Sequence, residues 1–451
     1  MAKVTRQDER HSSATSRMAE ILRENREGRR VGVFSICSAN RYVLEAGMRQ
    51  AARNESLLLI ESTSNQVNQF GGYTGQTPAD FVEFVSAIAR EQNFPEDQVV
   101  LGGDHLGPHP WKSEPAASAM KKGCALVRDY VRAGYTKIHL DASMHCADDY
   151  AERPLSDEIV GARAAMLCEA AENAREGLAD DWPAPVYVVG TEVPIPGGGR
   201  ADTEPPEVTK TEDLERTLKL TRKAFTRRGL EAAWKQVIAV VVQPGIEFRD
   251  ATVFPYELSK TERLASFCVQ GWTGVYEAHS TDYQAAKALQ QMVRDHFGIL
   301  KVGPWLTFAF REAIFALAQM EEEWLGGRPG MLLSKVREAL EQAMVRIPAH
   351  WQGHYHGDEN ALRFARKYSY SDRSRYYWPQ RDVGVSVQQL LSNLAANPAP
   401  TSLLSQYLPV QCEQVRSGEL ANHPLDLIRS KITQVLDIYA GACGVHGGAG
   451  C

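Results

Sequence analysis

The stretch VVLGGDHLGPHPWKSEPAASAMKKGCALVRDYVRAGYTKIHLDASM, residues 99–144, contains one complete structural unit. It opens on a short β-branched apolar run at Val99 and passes through a polar, glycine-rich segment. A helical pattern over 116–132 follows, and a second apolar run begins at Thr136. Short, nearly all-apolar runs are what parallel strands covered on both faces require. The same kind of run recurs outward from this unit. VGVFSI starts at Val31 and LLLIES at Leu57; beyond the unit come VYVVGTE from Val186, VIAVVVQ from Val237, GVYEAH from Gly274 and GILKVG from Gly298. That makes eight runs, whose starts lie 24 to 51 residues apart, room for a crossover helix and its loops.

Helical patterns are expected at 41–53, 78–91, 116–132, 157–175 and 305–324. Thr77 is expected as the N-cap ahead of Pro78, and Asp213 as the cap of a helix leading to Phe225. Eight βα units in succession predict an α/β fold, a closed (β/α)8 barrel of the TIM type; a doubly wound open sheet is the alternative. The expected organisation is a helical lead-in over 1–30, the barrel over 31–329, a helical, aromatic-rich C-terminal extension over 330–440 and a flexible tail over 441–451. The extension carries HWQGHYH (350–356) and YSYSDRSRYYWP (368–379).

The 451-residue chain is 43% hydrophobic, enough to bury a large core, and its formal net charge is −6. Dispersed, outnumbered Lys and Arg argue against a nucleic-acid partner. No apolar run reaches the roughly 18 residues of a membrane span, and the polar N-terminus lacks the apolar core of a signal peptide. Eight scattered cysteines without a CxxC pair read as free thiols. These features together predict a cytoplasmic protein. Neither a P-loop nor a strand–GxGxxG–helix fingerprint is present, so no nucleotide is expected.

Chemistry in such barrels sits where strands end and βα loops begin. The eight runs end respectively in Cys37-Ser38, the Glu61–Asn65 segment, Asp104-His105, His139 with Asp141, Glu192, Gln243, Glu277 with His279-Ser280-Thr281, and Lys301. Carboxylate, imidazole and amide groups around one rim are expected to form a divalent-metal site able to polarise a substrate carbonyl. Structural readings stand beside this one. Asp104-His105 can merely fix a loop, His139 can be a satisfied core group, and Glu192 and His279 can be structural partners. His350, His354 and His356 read as an aromatic surface. Arg373 and Arg375 read as a solvated helix start or interface, with phosphate contact as the other option.

Long motifs carry a resemblance: SNQVNQFGGYTGQTPADF (64–81), GGDHLGP (102–108), KIHLDASM (137–144), GTEVPIPGG (190–198), VVQPGIEF (241–248), VYEAHSTDYQ (275–284), LKVGPWLTFAFREAIFALAQ (300–319), SDRSRYYWP (371–379) and SQYLP (405–409). Over about 17–440 the chain resembles the Z subunit of tagatose-1,6-bisphosphate aldolase, a family of galactitol and N-acetylgalactosamine catabolism also labelled tagatose 6-phosphate kinase. That family is similar to class II aldolases, barrels with a catalytic zinc. The resemblance implies Asp104 as a proton-transfer group, His105 and His279 as metal ligands, Glu192 as a carboxylate near the metal, and Ser280 and Lys301 in the phosphate-binding segments. Gln243 departs from the third histidine of those aldolases.

The expected site is therefore a zinc, manganese or nickel ion on His105, Glu192, His279 and Gln243. Asp104, Asp141 and Glu192 carry the chemistry, and Ser38, Asn65, Ser280, Thr281 and Lys301 hold a ketose or ketose phosphate. Two functions follow from the resemblance: a ketose 4-epimerase or aldolase-like enzyme, and a non-catalytic subunit supporting a catalytic Y-type partner. Homo-oligomerisation is expected as well. A kinase has the least support.

Overall fold

In the computed structural model the described residues are 4–149, 155–178, 184–190 and 205–445. All eight runs are strands: β1 (Val33–Ile36), β2 (Leu58–Thr63), β3 (Val99–Leu106), β4 (Lys137–Leu140), β5 (Val186–Val189), β6 (Val237–Val241), β7 (Val275–Ala278) and β8 (Phe297–Val302). Each pairs in parallel with its sequence neighbours, and β1 pairs with β8, so the sheet closes into a barrel. The open-sheet alternative is thereby excluded. A two-residue ribbon, Glu247–Phe248 with Val253–Phe254, decorates the loop after β6.

A lead-in helix, α1 (Val4–Arg26), precedes β1, and helices follow the strands: α2 (Arg41–Arg53), α3 (Pro78–Glu91), α4 (Ala116–Ala133), α5 (Asp157–Ala174), α6 (Thr211–Arg227), α7 (Leu258–Gly271), α8 (Ala286–Arg294) and α9 (Pro304–Leu325). Thr77 caps α3 in a reciprocal capping box with Asp80, and Pro78 occupies the first turn. Asp213 is not the cap of α6. Lys210 holds that position, and Asp213 sits in the first turn, where its charge complements the helix dipole. No helix among the described residues is long and apolar enough to cross a membrane.

The period-two geometry of strands sorts the side chains. Phe34, Ile36, Leu58, Ile60, Leu101, Ile138, Tyr187, Val240, Tyr276 and Leu300 face outward beneath the helices. The alternate positions fill the barrel in layers. At the N-terminal end Val33, Leu59, Val100, Val186, Val275 and Ile299 form a separate apolar cluster with Ala14, Met18 and Leu22 of α1, which plugs that end. Thr15 Oγ1 hydrogen-bonds Thr136 Oγ1 at 2.7 Å, and Asn25 Nδ2 donates to the Val31 and Val293 carbonyls, fixing the plug's angle.

The chain beyond α9 is helical. Its last helix, α10 (Pro424–Ala442), returns to pack against α2, α8 and α9. The Tyr439 hydroxyl of α10 donates to the Thr281 carbonyl, and Arg429 pairs with the buried carboxylate of Glu45 on α2. A turn at Arg373–Tyr376 thereby reaches the C-terminal mouth of the barrel.

Met18→Ala empties part of the plug and is expected to cost about 2–5 kcal/mol, read as a lower urea midpoint at unchanged slope. An unchanged midpoint would mean that α1 does not seal the barrel.

Candidate active site

Above the apolar layer the inward positions turn ionic. Glu61 (β2), Lys137 (β4), Glu277 (β7) and Lys301 (β8) are all buried at the same level. Lys137 Nζ lies 2.8 Å from Glu61 Oε1 and 2.7 Å from Glu277 Oε2. Lys301 Nζ lies 2.5 Å from Glu61 Oε2, 3.1 Å from Asp104 Oδ1 and 3.7 Å from Glu277 Oε1. Gly102 makes room for this layer, since a Cβ there would stand 2.6 Å from Glu61 Cγ. Burial, the largest influence on each lysine, disfavours its charge but is outweighed. Asp104, Cys37, Glu61 and Glu277 raise Lys301 well above the ordinary range, and Glu277 and Glu61 raise Lys137. Both lysines are therefore ammonium ions.

The next inward layer, at the mouth, holds the imidazoles. Asp104, His139 and His279 follow Gly102, Lys137 and Glu277 by two residues each. His105 joins them because the β3–β4 register slips between Gly103 and Leu106 and His105 adopts φ +49°. Ser280, beside His279, has φ +53°. Left-handed backbone at non-glycine residues costs of order 1–3 kcal/mol, and strain of this kind clusters at functional sites. Gly107 lets the β3 loop cross Asp141, since a Cβ there would fall 1.8 Å from the Asp141 carbonyl oxygen.

Each imidazole is oriented by a carboxylate. His105 Nδ1 meets Asp141 Oδ2 at 2.8 Å, and Asp141 Oδ1 accepts from Ser143 Oγ at 2.9 Å. His279 Nε2 meets Glu277 Oε1 at 3.0 Å. His139 is engaged at both nitrogens, Nδ1 with Asp104 Oδ1 at 2.9 Å and Nε2 with the Gly190 carbonyl at 2.8 Å. The ring centroids of His105, His139 and His279 stand 4.8, 5.1 and 5.5 Å apart. Two imidazoles on one tetrahedral ion at the usual metal–nitrogen distance have centroids about 5 Å apart, which His105 and His279 match at 4.8 Å.

Burial disfavours charge on His105, yet Asp104 and Asp141 together raise it to about 9. Burial lowers His279 to about 4, leaving it a neutral ring, the form a metal needs. Burial also opposes the charge of Asp104, but Lys301, His105, His139 and His279 hold it well below the carboxylate range.

The residues fit a divalent cation. Asp104, His105, His139 and His279 can each present one atom within 4.8 Å of the others. Carboxylate–histidine backing, here Asp141–His105 and Glu277–His279, is the usual outer support of metal-ligating imidazoles. The group opens into a cavity of about 190 Å³ lined also by Asn65, Tyr73, Phe248, Asp282, Arg375 and Tyr376.

With this geometry established, comparison with known proteins is informative. Residues 18–444 match the family described as D-tagatose-1,6-bisphosphate aldolase subunit GatZ/KbaZ-like. The chain belongs to this family. Membership assigns this GatZ/KbaZ-like protein a carbohydrate, aldolase-related role. It is 42% identical to a protein of Sinorhizobium meliloti 1021 described as a probable tagatose 6 phosphate kinase, over 91% of this chain and 100% of that one, with a TM-score of 0.83. The YdjI aldolase of Escherichia coli K12 (9% identity, 79% of this chain and 94% of that one, TM-score 0.39) is a much looser likeness. So is the fructose-bisphosphate aldolase of Campylobacter jejuni (10%, 84% and 91%, TM-score 0.43); neither bears on the site.

Of the residues expected from the sequence, Asp104, His105, Asp141 and His279 converge, and Asn65 and Ser280 line the same cavity. Ser38 lines an adjoining one. Lys301 also lines the first cavity, with its Nζ shared among the carboxylates of the ionic layer. Two residues are turned elsewhere. Thr281 Oγ1 is spent on the Lys301 carbonyl and the Tyr439 hydroxyl. Gln243 Oε1 accepts from the Gly245 and Ile246 amides, closing the turn after β6. Glu192 lies outside the described residues.

The SDRSR segment starts a short 3-10 helix, Arg373–Tyr376, with Asp372 at its N-cap, but it is not solvated: Ser371, Asp372, Arg373 and Ser374 are buried, and this turn roofs the cavity. His350 stacks on Tyr376, with centroids 4.8 Å apart, within an aromatic patch. Sequence reasoning did not assign roles to Glu61, Lys137 and Glu277, and gave His139 a core reading. Their signal was the two-residue spacing that links Lys137, His139 and Asp141, and likewise Glu277 and His279.

Two predictions test this electrostatic frame. Lys137→Met leaves Glu61 and Glu277 to Lys301, which Asp104 also claims, and is expected to cost about 3–5 kcal/mol in urea unfolding. A loss near zero would mean that the carboxylates are not ionised. Asp282 is a second probe. Burial raises its carboxyl to about 6, against the Trp305 and Gly303 amides that favour its charge. An unfolded Asp titrates near 3.9, so across about pH 4–6 the folded chain keeps a proton that the unfolded chain has lost. Stability from this group therefore falls as pH rises through that window, by up to about 3 kcal/mol. Asp282→Asn is expected to remove that component, and parallel stability–pH curves for the two proteins would contradict the assignment.

Proposed function

We propose that this GatZ/KbaZ-like chain is a metal-assisted enzyme acting on a ketose or ketose phosphate, inverting C4 by retro-aldol cleavage and re-addition. One observation carries the reading. Two imidazoles, each backed by a carboxylate, face Asp104 in an open cavity at the barrel mouth. The inward lysines suggest a competing chemistry, a Schiff base. A nucleophilic lysine must be a neutral amine, and Lys137 and Lys301 are held as ammonium ions by Glu61, Glu277 and Asp104.

His105 and His279 would hold the ion, with Glu192 retained from the sequence as a further donor. A divalent ion there would polarise the C2 carbonyl and stabilise the negative charge that develops on it. Asp104, ionised and rim-facing, takes the C4 hydroxyl proton as the C3–C4 bond breaks. The bonding pair flows toward C2, leaving an enediolate and an aldehyde. Re-addition to the opposite face of the aldehyde re-forms the bond, and Asp104 returns the proton to the new C4 oxygen. No oxidant or co-reactant is consumed. Direct proton removal from C4 is disfavoured because no carbonyl adjoins it.

A second reading has its own support. The family is described as an aldolase subunit, and Gln243, at the position of an expected imidazole, is committed to a turn. On that reading the chain supports a catalytic partner.

The test is to purify the chain alone, measure its metal, and follow tagatose, fructose, their 6-phosphates and their 1,6-bisphosphates by NMR with added zinc, manganese or nickel. Tagatose–fructose interconversion lost on chelation is expected. Asp104→Asn is expected to slow it about 10²–10⁴-fold, and His279→Ala to lose the metal while remaining folded. An intact protein with neither metal nor turnover would favour the accessory reading. ATP-dependent phosphorylation of tagatose 6-phosphate would overturn both.

A further inference from the structure

Resting on the reading of a ketose phosphate as substrate, we infer that its phosphate is held by Arg375, a residue of the C-terminal extension, and not by the β7 and β8 ends of the barrel.

The barrel's own anion cradle is already filled. The N-terminus of α9 directs the Gly303 and Trp305 amides at Asp282 Oδ1, at 3.0 and 2.8 Å. A helix N-terminus binds one anion well, and here that anion is a protein carboxylate. Thr307, in the first turn of α9, donates to Asp372. Lys301 is shared among three carboxylates. A phosphate placed there would meet Asp282 before it met a free donor.

Arg375 presents the opposite situation. Its Nη1 donates to the Ser371 carbonyl and, at 3.0 Å, to the Asp372 carbonyl; Nη2 donates to the Tyr376 hydroxyl at 2.9 Å. These bonds use three of the five guanidinium donors, leaving two. Among the described residues no carboxylate pairs with it. The neighbouring Asp372 carboxylate is taken by Thr307, Ser374 and Arg311. Asp372 itself has φ +41°, which sets the turn that carries Arg375 to the mouth.

Arg375 also stands between two cavities. The first, of about 190 Å³, contains Asp104, His105 and His279. The second, of about 200 Å³, is lined on one part by the hydroxyl and amide side chains of Ser38, Asn40, Thr74, Gln76 and Thr307 and on the rest by apolar groups that include Phe84 and Trp378. Tyr73, Gln66, Cys37 and Arg375 border both. A ketose phosphate laid across them puts its carbonyl end at the imidazoles and its phosphate against the free edge of Arg375. Guanidinium–phosphate pairing in such a site is directional and charge-assisted.

The test is direct binding of inorganic phosphate and of fructose 6-phosphate, measured by calorimetry on the full chain. Arg375→Met is expected to weaken both by about 10- to 150-fold, the equivalent of one or two charge-assisted hydrogen bonds. Ser38→Asp, which leaves the roof turn untouched, is expected to abolish phosphate binding by placing a carboxylate in the second cavity. Unchanged phosphate affinity in both variants would overturn the inference. So would a wild-type protein that binds no phosphate while it epimerises free ketose, an outcome that leaves the reaction reading intact. Phosphate binding lost in both variants, without turnover in the wild type, would contradict the reaction and support the Arg375 site.

Discussion

The ionic layer inside the barrel is the constraint on which the rest of the structure depends. Two ammonium groups and three carboxylates, Lys137 and Lys301 with Glu61, Glu277 and Asp104, are packed where most barrels of this kind place branched apolar side chains. A buried ion pair gives little net stability, yet removing one partner is expensive. No member of the layer can therefore change alone. What the layer provides is position. Glu277 aims His279, Lys301 anchors Asp104, and Asp104 aligns His139. The uncompensated carboxylate charge lies toward the mouth, where a cation would be attracted.

This arrangement explains why the two rim histidines differ so much. His105 is surrounded by Asp104 and Asp141 and holds its proton to about 9, whereas His279 is a neutral ring. A metal arriving at neutral pH would displace the His105 proton and find His279 ready. The C-terminal extension completes the mouth from the other side. Tyr439 secures the β7 loop, while Arg375 and Tyr376 roof the cavity that the strands floor.

Much of this was legible in the sequence because strand periodicity is local. The eight apolar runs gave the barrel, and Thr77-Pro78 marked the start of α3. The rim residues Asp104, His105, Asp141 and His279 could be read as one set once the strands were aligned. The same parity points to Glu61, Lys137 and Glu277 as inward, but a charge inside an apolar run reads as an interruption until its partners on other strands are known. Phosphate contact was one reading of Arg375, but its place over the mouth, like the engagement of Asp282 by the amides at the start of α9, depends on packing between elements that no local pattern records. Gln243 and Thr281 followed the right strands, but nearby backbone groups claimed their side chains.

The central claim is that the carboxylate-backed imidazoles at the mouth form a cation site fed by the ionic layer below. Anomalous diffraction from crystals grown with manganese or zinc tests it most directly. The account predicts a single strong peak between His105 and His279, beside Asp104. A peak among Glu61, Asp104 and Glu277 within the barrel, or none at the mouth at saturating metal, would contradict it.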